Sequence, residues 1–389
     1  MAASVAHLES RSGAKIAISP SNRTQRGKAN GTGAAVLLRD SLAAARAARL
    51  RYVNAKEAGL TRVRKGTGFA YVTPSGRRLT DERDLQRIAR LAVPPAWKDV
   101  WICRSANGHL QATGVDARGR KQYRYHPRWR EVRDEAKYHD ILHFAGRLPM
   151  LRRRITKDLS SPTLTKAKVV ATVLRIMERT AIRVGNDRYT ESNGSYGLTT
   201  LLDKHAKISG ETIDFRFRGK GGKARHATVR DKKLAAIVKR CRDIPGQRLF
   251  QYEDESGNCR AITSTDVNGY IQSAMEHSFT AKEFRTWTAT VSALNLLHAY
   301  PACQSQAQGK RLILQAVDEV AKELGNTRAI CKKSYVHPTV FEAYLAGTLH
   351  GLYARSLRSS KKHPGLRADE CAVLSFFEQF ERGIEKLAS

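Results

Sequence analysis

The pattern of apolar positions changes near residue 130. Between about residues 66 and 130, short runs of alternating apolar and polar residues are separated by turn signals such as Asn107-Gly108. This punctuation is typical of strands joined by tight turns. The segment 80–95 has helical spacing and ends in two prolines, which stop a helix. We therefore predict a small β-rich domain that contains one helix.

After residue 130, apolar residues recur at the three- and four-residue spacing of helices. The clearest case is segment 165–185, in which Val170, Val173, Leu174 and Met177 share one face. This part of the chain is therefore predicted to be mainly helical. Further amphipathic stretches lie at 231–243, 265–276, 281–299, 305–324, 338–356 and 368–388.

One segment interrupts the helices with a period of two. Ile213, Phe215 and Phe217 alternate with charged residues, so one face of a strand is predicted to be buried and the other polar. We predict a β-hairpin near 211–230, with Lys220 at its glycine-flanked tip.

These patterns predict an α+β fold with three parts. Residues 1–45 form a basic tail, rich in Ala, Ser, Gly and Asn, that runs into a helix. Residues 46–133 form the small β-rich domain, and 134–389 form the larger, mainly helical one. The acid-poor tail is predicted to be disordered, and its composition also fits an organellar transit peptide.

The charge balance points to a polyanionic partner. The 389 residues include 69 Lys and Arg against 36 Asp and Glu, which leaves a net charge of +33. The sequence pI of about 10.3 is in the range of nucleic-acid-binding domains. The excess is spread over the whole chain, as expected of a protein that encloses its nucleic acid, although a basic packing protein is the simpler alternative.

Several other functional classes find little support in the sequence. The six cysteines form no C-x-x-C pair and have no histidines at zinc-ligand spacing, so we expect reduced thiols and no metal site. There is no apolar run of membrane-spanning length and no secretion signal. The segment "RGKGGKAR" departs from the phosphate-binding loop motif, and no D-x-D or H-E-x-x-H occurs. A metal-free reaction on a phosphodiester would need Arg and Lys to stabilise charge and a side chain to protonate the leaving oxygen.

Arg183, Lys220, Arg285 and Tyr335 are candidates for these tasks, although composition alone does not select these four. "RVGNDRY", "FRGKGGKARH", "AKEFRTW" and "LGNTRAICKKSY" occur in this order and resemble the catalytic segments of type IB DNA topoisomerases of the bacterial and poxvirus kind. "VPPAWKDVWIC" and "GRKQYRYHPRW" resemble that family's amino-terminal domain. The resemblance covers the chain from about Arg51 to its end, and it implies the fold shared by tyrosine recombinases and topoisomerases IB, closed as a clamp around duplex DNA.

The resemblance also implies roles for five residues. Tyr335 would be the nucleophile, Arg183 and Arg285 would clamp the transition state, and Lys220 would be the general acid. The fifth family position, often histidine, is Asn326, which can donate a hydrogen bond but cannot carry a positive charge. The implied reaction passes through a 3′-phosphotyrosyl intermediate, relaxes supercoils of either sign by swivelling, and needs neither ATP nor a metal or other cofactor.

A second set of residues is assigned to DNA contacts. Gln122, Tyr123 and Tyr125 match family positions that meet the major groove, and Gln122 has the amide geometry to read adenine. The two tyrosines could instead be core residues of a small sheet. Lys223 and Lys282, which neighbour the proposed catalytic residues, are expected to contact DNA.

The expected partner is therefore double-stranded DNA, bound by a monomer in the cytoplasm, in association with the nucleoid and not with a membrane. Two alternatives remain. Tyrosine recombinases share the catalytic logic, but they usually carry H-x-x-R where this chain has Lys282-Glu283-Phe284-Arg285. A DNA-binding protein that has lost the reaction is the other alternative, although binding alone would not need Tyr335.

Overall fold

A computed structural model describes residues 41–360 and 363–388 of the chain. The chain divides into two compact units at Arg133 and Asp134. Most of the tail predicted for residues 1–45 lies outside the described residues. The α+β class is confirmed, with a β-sheet in the first unit and mostly helices in the second.

The first unit is built on a five-stranded antiparallel sheet. Its elements are α1 (Ser41–Ala47), β1 (Leu60–Lys65), β2 (Gly68–Val72), α2 (Glu82–Arg90), β3 (Lys98–Ile102), β4 (Leu110–Val115) and β5 (Lys121–Tyr125). The strand order is β2-β1-β3-β4-β5, and alternate side chains of the sheet pack against one helix, α2. Asp81 caps α2 by accepting a hydrogen bond from the backbone N–H of Asp84.

The second unit packs helices around one large apolar core. Its first elements are α3 (Pro127–Leu159, which begins before the unit boundary), α4 (Lys166–Thr180), α5 (Asp187–Asn193), β6 (Ala206–Ser209), β7 (Thr212–Arg218), β8 (Ala224–Arg230), α6 (Lys232–Asp243), β9 (Gln251–Glu253) and β10 (Cys259–Ala261). The remaining elements are α7 (Ser264–Met275), α8 (Ala281–Ala299), α9 (Gln306–Leu324), α10 (Arg328–Ser334), α11 (Pro338–Leu345), α12 (Leu349–Ser359) and α13 (Ala368–Ala388).

The β7–β8 hairpin carries one edge of the candidate site. Ile213, Phe215 and Phe217 are buried, and the residues that alternate with them along β7 are polar or charged. Residues 220–222 form the tip, where Gly221 has φ +76°, a left-handed conformation that glycine adopts without steric cost. Strand β6 pairs with β7, so the hairpin belongs to a three-stranded sheet.

Four elements differ from the sequence-based expectations. The α3 helix was missed, because Pro149 lies inside it although proline usually marks a helix boundary. The stretch 338–356 is two helices, separated near Gly347 at φ +72°. The helix α10, directly before Tyr335, and the β9–β10 hairpin were not predicted.

Within the described ranges, no helix combines the length and apolar character needed to cross a membrane. All six cysteines lie in those ranges and are free.

Candidate active site

Tyr335 lies at the carboxyl end of α10 with its backbone held by α8. Its N–H donates to the carbonyl of Cys331 at 3.0 Å. The buried hydroxyl of Thr290, on α8, donates to the Tyr335 carbonyl at 3.4 Å and accepts from the N–H of His337 at 3.2 Å. One hydroxyl therefore holds two backbone groups that follow the Tyr335 side chain along the chain.

Arg285 lies one turn into α8 and is only 4% exposed. Its guanidinium donates to the carbonyls of Ala181 and Leu324, the second at 2.8 Å. These carbonyls lie at the carboxyl ends of α4 and α9. There, carbonyls lack N–H partners from the helix itself, and the helix dipole has its negative end. The guanidinium carbon is 5.3 Å from the centre of the Tyr335 ring. Burial and, next, the charge of Arg183 lower the pKa of Arg285 to about 10.

Arg183 lies in an irregular segment after α4, although the helical pattern of segment 165–185 had placed it late in that helix. Helix α4 ends at Thr180 because Ala181 adopts the left-handed conformation, with φ +50°. The Arg183 guanidinium donates to the side-chain oxygen of Asn326. The nitrogen of that amide, Nδ2, is buried and has no hydrogen-bond partner among the described residues.

Lys220 completes the group from the hairpin tip. A cleft of about 390 Å³ is lined by Lys220, Arg183, Arg285 and Tyr335, among others. Asn326 lines an adjoining cavity of about 220 Å³, to which both arginines and Lys220 also contribute. Five residues that are distant in sequence therefore converge on one place in the second unit.

The charges in this cleft act on the tyrosine. Burial alone would raise the pKa of Tyr335, but Arg285, then Arg183 and Lys220, outweigh it and leave the pKa below its ordinary value. The cluster therefore favours the phenolate, which is the nucleophilic form of the side chain.

Arg225 is a residue of this site that the sequence did not single out. It extends from β8 and donates to the carbonyls of Thr180 at 3.2 Å, Lys322 at 3.3 Å and Glu323. It therefore bridges the same two helix ends as Arg285. The arginine-rich hairpin contained no signal of this role, because the acceptors are backbone atoms remote in sequence.

The predicted DNA-contact residues are placed as follows. In the first unit, Gln122 donates to the Asp116 carboxylate at 2.9 Å. Tyr123 is 46% exposed, and its ring stacks on that of Tyr125 with centroids 6.0 Å apart. Tyr125 is half-buried against Trp129, so it is partly a core residue, as the alternative interpretation of the two tyrosines had it.

In the second unit, the two predicted lysines are exposed beside the catalytic group. Lys223 flanks the hairpin tip, and Lys282 lines the Tyr335 cleft. Within the part of the chain that the structure describes, no group of three or more His, Cys, Asp or Glu side chains is arranged to hold a metal ion.

Two family models match the chain. The model for the eukaryotic DNA topoisomerase I catalytic core matches residues 126–354, and the model for the bacterial DNA topoisomerase IB N-terminal domain matches residues 68–116. The first match contains all five residues of the candidate site.

The curated relatives that the chain resembles are also DNA topoisomerases. DNA topoisomerase 1B of Acanthamoeba polyphaga mimivirus is 33% identical over 293 residues, which cover 74% of this chain and 87% of the relative. DNA topoisomerase 1B of vaccinia virus, strain Copenhagen, is 22% identical, with coverages of 59% and 70%. Among solved structures, a XerH site-specific recombinase bound to its difH substrate covers 49% of this chain and 47% of its own at 18% identity, with a TM-score of 0.31, too low to bear on the fold.

Proposed function

Because this chain belongs to the type IB DNA topoisomerase family, we propose that it relaxes positive and negative supercoils by cutting and resealing one strand of duplex DNA. The observation that carries this proposal is the convergence of Tyr335, Arg183, Arg285 and Lys220 on one cleft. Those residue types suffice for a phosphoryl transfer to a tyrosine.

The proposed reaction gives each of these groups one role. The Tyr335 oxygen attacks the scissile phosphorus as the phenol releases its proton to solvent, and the bond from phosphorus to the 5′ oxygen breaks. Lys220 gives a proton to that oxygen, so the products are a 3′-phosphotyrosyl link and a 5′-hydroxyl. Arg183 and Arg285 offset the charge that develops on the non-bridging oxygens.

Resealing is the reverse of this step. The 5′-hydroxyl returns its proton to Lys220 as it attacks the phosphotyrosine, and the displaced Tyr335 oxygen regains a proton from solvent. The energy of the phosphodiester is therefore kept in the covalent link, and no ATP is consumed. Between the two steps, the duplex beyond the nick swivels and loses superhelical strain.

We further propose that the protein acts as a monomer that encloses the duplex, in the cytoplasm and on nucleoid DNA. The net charge of +33 supports binding to the phosphate backbone. Tyr123, exposed on β5, and Lys223 and Lys282, exposed near the cleft, are the proposed DNA contacts, together with Gln122 and Tyr125.

The test is relaxation of negatively and positively supercoiled plasmid in EDTA, without ATP. We expect the unaltered protein to relax both and Tyr335→Phe to relax neither while still binding DNA. Tyr252→Phe, which removes a hydroxyl on β9 outside the cleft, is the matched control and should remain active. Binding without relaxation by the unaltered protein would contradict the proposal and favour a recombinase or a binding protein.

A further inference from the structure

The last turn of α10 ends with carbonyls that the helix itself cannot satisfy. In a continuing helix, the carbonyl of Lys333 would accept from the N–H of His337, but that N–H donates to Thr290. The carbonyl of Ser334 would accept from residue 338, which is a proline and has no N–H. Both carbonyls belong to the residues directly before Tyr335.

Two neighbouring side chains of α3 supply the missing donors. The Lys137 ammonium donates to the carbonyl of Ser334, and the Tyr138 hydroxyl donates to the carbonyl of Lys333 at 3.2 Å. These contacts join segments almost two hundred residues apart in sequence. Tyr138 is buried, and the centre of its ring lies 4.9 Å from that of His337, which follows Tyr335 by two residues.

Lys137 is largely removed from water, which makes its hydrogen bond to the Ser334 carbonyl more important. Burial and then the charge of Lys282 lower its pKa to about 8, while Asp134 and Glu283 oppose the shift. The ammonium has therefore lost much of its hydration, and the Ser334 carbonyl replaces part of it. A cation at a helix carboxyl end is also favoured by the helix dipole.

We propose that Lys137 is a positioning residue for Tyr335, holding the last turn of α10 so that the phenol oxygen faces the cleft. This inference rests on the proposed function. Thr290 ties the backbone from α8, and Lys137 with Tyr138 ties it from α3, so the tyrosine is fixed from two helices. A displacement of about 1 Å in a reacting group can cost about a hundredfold in rate.

The first test is the rate of covalent adduct formation on a nicked suicide duplex at saturating DNA. Lys137→Met keeps the apolar stem and removes the donor, and we expect adduct formation to slow by about ten- to a hundredfold. Lys157→Met, the same change at an exposed position of α3, is the matched control and should retain the full rate. Lys137→Arg, which restores the charge and the donors, should recover part of the loss.

Failure of this inference is separable from failure of the proposed function. If the unaltered protein forms no adduct, the proposed function is wrong. If it forms the adduct and folded Lys137→Met reacts equally fast, the positioning role is wrong. Should Lys137→Met not fold, Lys137→Gln, which removes the charge but keeps a polar side chain, takes its place, and a rate equal to that of the unaltered protein would equally overturn the inference.

A second substrate separates positioning from proton donation. A duplex with sulfur in place of the scissile 5′ oxygen has a leaving group that needs no proton from the protein. Lys220→Ala should regain most of its lost rate on this substrate. Lys137→Met should not, because its tyrosine remains misplaced; full recovery would show that Lys137 donates a proton and would overturn the positioning role.

Discussion

Arg183 holds Asn326 by its amide oxygen, which leaves the amide nitrogen buried and without a partner among the described residues. A buried donor without an acceptor is costly, so its retention suits a site whose acceptor arrives with the substrate. A non-bridging phosphate oxygen would be such an acceptor. The arginine also fixes which way the amide points.

This geometry predicts that Asn326→Asp is more harmful than Asn326→Ala. The aspartate has nearly the same shape, but it would pair with Arg183, lose the donor and repel the phosphate. We expect adduct formation to slow by about a hundred- to a thousandfold in the alanine variant, the range for losing one charge-stabilising donor, and by more in the aspartate variant, which also adds a negative charge. Single-turnover cleavage measures both, and an aspartate variant as fast as the alanine variant would contradict the orientation.

The pKa of Tyr335 predicts the pH dependence of cleavage. Because the pKa is below its ordinary value of 10.0, the phenolate fraction should rise with pH, and with it the cleavage rate, before pH 10 is reached. In Arg285→Gln the burial remains but the main opposing charge is lost, so the same rise should move to higher pH. The measurement is the single-turnover rate against pH for both proteins. Superimposable profiles would mean that Arg285 does not tune the tyrosine.

Arg225 should matter for stability as well as for rate. Arg225→Ala removes the donor of the Thr180 and Glu323 carbonyls and one of the two donors of the Lys322 carbonyl, which also accepts from the N–H of Gly325. Hydrogen bonds to a charged group are each worth about 2 kcal/mol. We expect a lower free energy of unfolding in urea and slower adduct formation. Arg216→Ala, which changes an exposed arginine on β7, is the control. Equal stability of the two variants would contradict the bridging role.

The buried Glu370 predicts acid sensitivity of the second unit. Its carboxylate receives two hydrogen bonds from Arg152, at 2.7 and 2.9 Å, and one from the Trp287 indole at 3.1 Å. Burial alone would raise its pKa, but Arg152 and then Arg367 leave the pKa below 4.5. The stabilisation is therefore complete above pH 4.5 and is lost as the pH falls through the lower, folded-state value.

Glu370→Gln removes that charge at every pH and breaks a buried pair, at a cost of about 3–5 kcal/mol. Its thermal unfolding at pH 7 should occur at a clearly lower temperature than that of the unaltered protein, and the difference should shrink below pH 4.5. Glu378→Gln, on the exposed side of α13, should have little effect. A constant difference across this pH range would rule out the titration as the cause.

Binding of DNA should weaken steeply with salt. The protein carries +33, and each phosphate contact releases a counterion, so the logarithm of the affinity falls linearly with the logarithm of the salt concentration. We expect relaxation to collapse in high salt. Activity that is unchanged across a tenfold rise in NaCl would contradict the proposal that the protein encloses the duplex and binds it mainly by electrostatic attraction.

What the sequence could and could not predict has a physical basis. The alternation of Ile213, Phe215 and Phe217 predicted the buried face of the hairpin, because burial in a strand follows a period of two. Arg183 was misplaced because one left-handed residue, Ala181, ends the helix ahead of it. The local sequence pattern does not indicate that an alanine will adopt a left-handed conformation and end a helix.

The supporting residues were harder still. Arg225, Thr290 and Lys137 act on backbone carbonyls, which every residue possesses, so no partner residue type marks them in the sequence. The catalytic side chains were found by resemblance to a family, and only the folded chain shows what holds them. Among 69 basic residues, composition could not have selected the few that turn inward.

The crowding of Arg183, Arg225 and Arg285 around two helix ends has a consequence for engineering. The charge of Arg183 lowers the pKa of Arg225 and of Arg285, and the charge of Arg225 also lowers that of Arg285, so the empty protein carries repulsion that a bound phosphate would relieve. Replacing Arg183 with methionine should therefore give a more heat-resistant protein that no longer turns over. Selection for thermal stability alone would tend to erode this site, and DNA present during selection would protect it.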